Sequence, residues 1–353
     1  MEKIISGIQQ IGIGVTNVYE AWKWYKENFG MDIRIFEDNT VAELMLPYTG
    51  GKPRKRHAAL AMNLTGGGGF EIWQYSERTP QAPEFELQLG DLGIIAAKIK
   101  SPNLKKAYET FKARNLNVIG NLYADHFFIK DLYGNIFQVI NDSIWFRKEN
   151  KLTGAVAGAI IGVSDIDQAR KVYSDILGYD EVVYDDQGVF DDFKPLPGGN
   201  QKFRRVLLKA SKERYGFFSR LFGNSYIELI QVLDREPQKI FKNRYWGDLG
   251  FIHLCYDISG MEALKKDCEL KGFPFTVDSS VKHNEDNSFD MGEAAGHFSY
   301  IEDPDGTLIE FVETHKIPIM EKFGWYLNLK KRDRKKPLPN WMIKALRFSK
   351  VKF

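Results

Sequence analysis

A short β-like run leading into an amphipathic helix pattern occurs four times along the 353 residues, and this repetition limits the possible folds more than any other feature. In residues 8–30 the run ends at a Thr16-Asn17 turn. A helix stripe of Ala21, Trp22, Tyr25 and Phe29 follows, and Gly30 stops it. Residues 156–178 repeat the plan with Ala169, Val172, Tyr173 and Leu177, a cap at Ser164 or Asp165, and a stop at Gly178. Weaker copies occupy 92–115 and 249–272. Each start is followed by strand-like runs, such as 41–46, 57–64 and 70–75 after the first. The spacing predicts a β-α-β-β-β unit used four times.

The closing strands repeat as well. Phe70-Glu71-Ile72-Trp73-Gln74-Tyr75 matches Ile227-Glu228-Leu229-Ile230-Gln231-Val232, and the segment from Asp131 to Gln138 matches that from Asp303 to Glu310. In the latter the Asp-Pro-Asp-Gly group predicts a tight turn before a strand, with glycine at positive φ. Aromatic residues at 14% exclude a disordered chain, and a formal charge of +2 excludes a nucleic-acid-coating polycation. Two cysteines, Cys255 and Cys268, allow no disulfide framework and suit a reducing compartment. No apolar run is long enough to span a bilayer, and the N-terminus enters a strand pattern without a signal-like apolar region. A cytoplasmic protein is expected.

These strand–helix starts, closing strands and Asp-Pro-Asp-Gly turn resemble the vicinal oxygen chelate superfamily, which includes glyoxalase I, bleomycin-resistance proteins, methylmalonyl-CoA epimerase and extradiol dioxygenases. The resemblance covers about residues 4–315. It implies an α+β fold in which four βαβββ modules form two glyoxalase/dioxygenase-like domains. The expected domains are 4–148 (modules 4–80 and 88–148) and 149–318 (modules 149–236 and 245–318), with a basic tail at 319–353 containing a helix candidate at 340–350.

In that family each module supplies a metal ligand from its first strand and an acid from its closing strand. Carried over, module one offers Gln10 and Glu71, module two Ile94 and Gln138, module three Gly158 and Glu228, module four His253 and Glu310. If neighbours in the chain pair, Glu228, His253 and Glu310 share a cleft. If the outer modules pair, Gln10, Glu71, His253 and Glu310 do, a set similar to the ligands of zinc-type glyoxalase I. The second arrangement is favoured, because it gathers every donor in one cleft and every loss in the other. His126 and His297 are expected to be supporting or structural, and His57, His283 and His315 carry no signal.

The resemblance implies a divalent ion, zinc first, with nickel, iron or manganese as alternatives. It also implies lyase or isomerase chemistry on a small oxygenated, anionic substrate through a metal-stabilised enediolate, with Glu310 or Glu71 moving the proton. An Fe(II) dioxygenase is a second reading, disfavoured because only one histidine falls in a ligand position. A metal-free binding protein of the bleomycin-resistance kind is the third. Basic loops at Lys52, Arg54, Lys55 and Arg56, at Lys202, Arg204 and Arg205, and at Lys212, Arg214 and Arg220 could clamp an anion. The tail segment Trp341–Phe348 is amphipathic and is expected to dock on its own domain, with a membrane or nucleic acid as alternatives. No nucleic-acid partner is expected for the chain as a whole, which should be a monomer or homodimer.

Overall fold

The structure, a computed structural model, describes residues 2–282, 289–290, 295–320 and 325–353; His283 lies outside them. Module one comprises β1 (Ile4–Gly14), α1 (Val18–Phe29), β2 (Ile33–Ala42), β3 (Arg54–Met62) and β4 (Gly69–Tyr75). Module two comprises β5 (Gly93–Ser101), α2 (Leu104–Ala113), β6 (Asn117–Ile119), β7 (His126–Lys130) and β8 (Ile136–Asn141). Module three comprises β9 (Val156–Gly162), α3 (Ile166–Tyr173), β10 (Glu181–Gly188), β11 (Phe203–Lys209), a one-turn α4 (Ser219–Phe222) and β12 (Tyr226–Val232). Module four comprises β13 (Gly250–Ser259), α5 (Met261–Leu270), β14 (Val277–Asp278), β15 (Phe289–Asp290), β16 (Ala295–Glu302) and β17 (Leu308–Met320). The tail adds β18 (Trp325–Asn328) and α6 (Asn340–Lys344).

The fold is α+β, with two mixed sheets that each take one module from either half of the chain. One sheet runs β14-β16-β17-β13-β1-β4-β3-β2, joining modules four and one, with β15 and β18 attached beside it. The other runs β10-β11-β12-β9-β5-β8-β7-β6, joining modules three and two. At each centre two first strands meet antiparallel, β1 on β13 and β5 on β9. Of the two arrangements open from the sequence, the outer-with-outer pairing is the one formed.

The same polar anchors recur in both halves, which explains several repeated residues. The Asn17 side chain accepts from the backbone N–H groups of Tyr19 and Glu20 to cap α1, and Asp165 does the same for Asp167 and Gln168 at α3. The amides of Gln74 and Gln231 accept from the first N–H of those helices, tying each to its closing strand. Asp131 accepts from the N–H groups of Tyr133 and Asn135, and Asp303 from those of Asp305 and Thr307, closing the two turns through Gly134 (φ 83°) and Gly306 (φ 94°). Buried Tyr25 on α1 donates to Asp131 at 2.6 Å, and Tyr173 on α3 donates to Asp303 at 2.9 Å. A helix from the first module of each half is therefore latched to the closing turn of the second.

The helix stripes cover the sheets as their spacing predicts. Trp22, Tyr25, Phe29, Phe111, Ala169, Val172, Tyr173 and Leu264 join the strands in one core. Phe29, Phe70 and Phe137 pack there with centroids 4.9–6.2 Å apart, Phe29 edge-on to Phe70 and Phe137 tilted against both, and truncating one such ring to alanine costs about 3–5 kcal/mol. No described helix is long and apolar enough to cross a membrane.

Candidate metal centre

Gly12 sits where the outer sheet's strands converge, paired with His253 on one side and Glu71 on the other. A Cβ there would fall 2.5 Å from His253 Cε1, so only glycine lets the imidazole lie across β1. Two residues earlier Gln10 pairs with Cys255, which in turn pairs with Glu310. Strand alternation then aims Gln10, Glu71, His253 and Glu310 at one point. All four are buried, His253 completely.

His253 Nε2 lies 3.1 Å from Glu310 Oε2 and 3.3 Å from Glu71 Oε2, while Gln10 Nε2 donates to the same two oxygens at 3.4 and 3.2 Å. Neither His253 nitrogen is aligned for a hydrogen bond, and Gln10 Oε1 also has no partner. A buried imidazole this close to two carboxylates, yet aligned with neither, has its Nε2 directed between them. Donors about 2.0–2.1 Å from a tetrahedral ion would be about 3.3 Å apart, so the spacing fits a shared cation. Glu71, His253 and Glu310 each present a ligand atom within 4.8 Å of the others, the one such group among the described residues.

The electrostatics follow from burial and proximity. Burial alone would depress the His253 pKa, but Glu310 and Glu71 outweigh it and push it up to about 9. Burial would raise Glu310, yet the adjacent imidazole, with Tyr300 and Cys255 beside it, holds its carboxyl below the usual range. Tyr300 is driven well above the ordinary phenol value by burial and by Glu310 and Glu71, so it remains a neutral O–H. Arg56 Nη1 approaches Glu71 Oε1 at 3.6 Å. Trp246 stacks parallel to His253 with centroids 6.2 Å apart, and Tyr300 meets it edge-on at 5.7 Å.

The inner sheet has the same plan and the opposite outcome. Lys98 occupies the position of Cys255, paired with Gln138 and Gly158 where Cys255 pairs with Glu310 and Gln10. Its ammonium reaches into the would-be site and bonds Gln138 Oε1 and Glu228 Oε2. Arg205 grips the other Glu228 oxygen and, at 2.8 Å, Asp192; Tyr184 adds a bond to Glu228 at 3.0 Å. Burial would raise the Glu228 pKa, but Arg205 and Lys98 hold it far below normal. Glu228 therefore lies outside the Glu71–His253–Glu310 group, in the other sheet, already neutralised by two cations. Register places Ala96, two residues beyond the expected Ile94, at the position matching His253: Ala96 pairs with Ile160 as His253 pairs with Gly12.

The basic loops are largely spent internally. Arg56 also pairs with Asp38, Arg204 with Asp167 and Asp185, and Arg214 donates to the carbonyls of Ile5 and Leu177. His126 pairs with Asp125 and Asp192, and His297 with Asp278, supporting roles consistent with their sequence positions. Lys98, Trp246 and Tyr300 escape a sequence reading. Lys98 carried one signal, a lysine inside an otherwise apolar first strand; Trp246 comes from a connecting segment, and Tyr300 from a strand opposite the ligands.

Residues 159–289 match the sequence model of the Glyoxalase/Bleomycin resistance protein/Dioxygenase superfamily. No curated protein sequence matches the chain. Among solved structures, a candidate dioxygenase from Bacillus subtilis is similar with a TM-score of 0.58 at 11% identity, over 100% of this chain and 98% of that one. Glyoxalase I from Zea mays is similar with a TM-score of 0.53 at 13% identity, over 88% of this chain and 92% of that one. At such identities the likeness is one of fold. The match at 159–289 and the paired βαβββ modules make this chain similar in fold to the Glyoxalase/Bleomycin resistance protein/Dioxygenase superfamily.

Proposed function

We propose that the chain is a divalent-metal-dependent lyase or isomerase of glyoxalase type, acting on a small oxygenated, anionic substrate. Gln10, Glu71, His253 and Glu310 would hold the ion. The observation that carries this reading is the buried His253 imidazole, set 3.1 and 3.3 Å from two carboxylates and hydrogen-bonded to neither. A bound divalent ion would polarise adjacent substrate oxygens and stabilise the negative charge that grows on them. The protein's own groups do the rest. Glu310, kept ionised by its surroundings, accepts a proton from the substrate carbon, or Glu71 does so from the other side. Tyr300, held neutral, stands beside them as a donor, and the rings of Trp73, Trp246 and Tyr300 keep water out.

A cavity of about 380 Å³ next to Trp246 is large enough for a small ligand. Tyr48, Phe241 and Tyr245 line it, with Arg244 in the wall and Lys239 and Lys242 at the edge. Arg244 is buried, donates only to the carbonyls of Ile240, Gln81 and Leu249, and is pulled down to about 10 by burial. Glu302 and Asp305 also line the cavity but are taken up by Tyr48 and Ser164, so Lys239, Lys242 and Arg244 leave it an excess of positive charge suited to a carboxylate or phosphate substituent.

One observation favours a second reading, a metal-free binding protein: protonated His253, with Arg56 3.6 Å from Glu71, could balance the two acids. Metal content separates the two. Protein reconstituted with zinc, nickel, manganese or iron should retain about one equivalent, and Glu310→Gln should lose most of it. Retention below roughly a tenth of an equivalent for every ion would leave only the binder. Oxygen uptake with catechols should be absent; its presence would restore the dioxygenase reading.

A further inference from the structure

We propose that residues 330–353 form a docking face for an anionic lipid surface. Ten of the chain's 49 Lys and Arg but only one of its 47 Asp and Glu lie in this segment, which makes it +9 against −7 for the remainder. One side of it is already occupied. Leu338 and Ile343 are buried, and with Met342 and Leu346 they pack on Met62, Leu64, Phe217, Leu221 and Phe222. Val351 N–H bonds the Asp32 carbonyl, Lys350 pairs with Asp32 at 2.8 Å, and Arg220 bonds Asn340 at 3.3 Å. The segment is thereby fixed to the body rather than free to wrap its apolar residues away.

The other side is unpartnered. Trp341 is 71% exposed and Phe348 80% exposed, at opposite ends of the short helical stretch formed by α6 and the 3₁₀ turns of Ala345–Ser349. Lys344, Arg347 and Lys352 flank them with no ion pair to any described residue, and the Arg347 guanidinium lies 5.0 Å from the Phe348 ring centroid. Two protruding aromatic rings among long-stemmed cations are the composition of an interfacial anchor: the rings enter the acyl boundary and the cations reach the headgroups.

A second copy of the chain is a poor occupant, since it would bring +9 against +9. Single-stranded nucleic acid is held by rings set within a charged groove, whereas rings this exposed stand proud of the surface.

Cosedimentation with sucrose-loaded vesicles tests the assignment. At about 0.1 M salt the full chain should partition onto phosphatidylcholine vesicles containing phosphatidylserine and not onto phosphatidylcholine alone, and higher salt should weaken the binding. Trp341→Ala/Phe348→Ala should bind at least about tenfold more weakly with an unchanged circular dichroism spectrum, since neither ring supports the fold. Absence of binding to the anionic vesicles would overturn the proposal, as would undiminished binding by the double variant. Tail-dependent binding to a single-stranded oligonucleotide in place of vesicles, or tail-dependent dimerisation in gel filtration, would also overturn it. Metal content plays no part in the readout, so failure here leaves the metal centre untouched.

Discussion

Removing the Lys98 ammonium tests whether the inner sheet holds its own cation where the outer one offers ligands. Lys98 is 3% exposed and Glu228 fully buried, and the two are bonded directly. Lys98→Met keeps an unbranched apolar stem and deletes only the charge. Breaking a buried pair from one side costs about 3–5 kcal/mol. Arg205 and Tyr184 still serve the other Glu228 oxygen, so the lower end applies, about 3 kcal/mol or roughly a hundredfold in the folding equilibrium. Adding Glu228→Gln removes the stranded charge while keeping an acceptor for Arg205, and should return about 2 kcal/mol. Urea unfolding followed by circular dichroism, with the slope checked for constancy, reads both variants. A single variant within about 1 kcal/mol of wild type, or a double variant no better than the single, would refute the argument that Glu228 depends on Lys98. Metal content should be the same in all three proteins, because the outer group is built from other residues.

Gly12→Ala should displace the His253 imidazole, since the new Cβ would sit 2.5 Å from Cε1; it is expected to lower retained metal at least about tenfold while costing only about 1–3 kcal/mol of stability. Tyr25→Phe and Tyr173→Phe each leave a buried aspartate short of a donor, and each should cost about 1–3 kcal/mol in thermal or urea unfolding, with similar values because the two latches are equivalent. Asp257 supplies a pH test. Burial, aided by Glu313, pushes its carboxyl up to about 8 from an ordinary value of 3.8. Between those values the folded chain holds a proton that the unfolded chain releases, so its contribution is present below about pH 4 and is lost as pH rises through about 8. Asp257→Asn should flatten the fall in melting temperature between about pH 5 and 8; an unchanged slope would mean Asp257 is not the group responsible.

Much of this architecture was readable because repetition exposes register. The closing-strand acids Glu71 and Glu310 and the histidine at His253 fell at matching module positions, and the concentration of donors in modules one and four pointed to the pairing the sheets adopt. The expected position, Ile94, falls two residues short: aligning Leu92–Lys98 with Leu249–Cys255 sets Ala96 against His253 and Lys98 against Cys255, so the lysine at the centre of the inner cleft is visible once the two first strands are aligned from their Leu-Gly starts. The arginines misled for another reason. Charge in a loop is visible, but the partner that claims it is not: pairing β11 with β12 sets Glu228 opposite Leu207, two residues along from Arg205 and on the same face. Trp246 and Tyr300 contribute only shape and a neutral hydroxyl, properties with no repeat signature.

The two sheets pose one electrostatic problem with two solutions. Each brings a closing-strand carboxylate, Glu310 or Glu228, into a fully enclosed centre, and a buried carboxylate demands positive charge. In the inner sheet the chain grows that charge from its own first strand, and Lys98 with Arg205 satisfies Glu228 and Asp192. In the outer sheet the corresponding first-strand residue is Cys255, a thiol that burial keeps neutral. A second acid, Glu71, is present, and among the described residues the nearby cations are Arg56 and His253, whose charge is optional. A centre with two carboxylates, a titratable imidazole and an amide is one that can exchange a proton for a divalent ion, whereas a centre with a resident ammonium cannot. The inner sheet carries Ala96, Gln138 and Gly158 where the outer has His253, Glu310 and Gln10, so the lost donors and the added lysine together make one cleft a candidate for chemistry and its twin a strut.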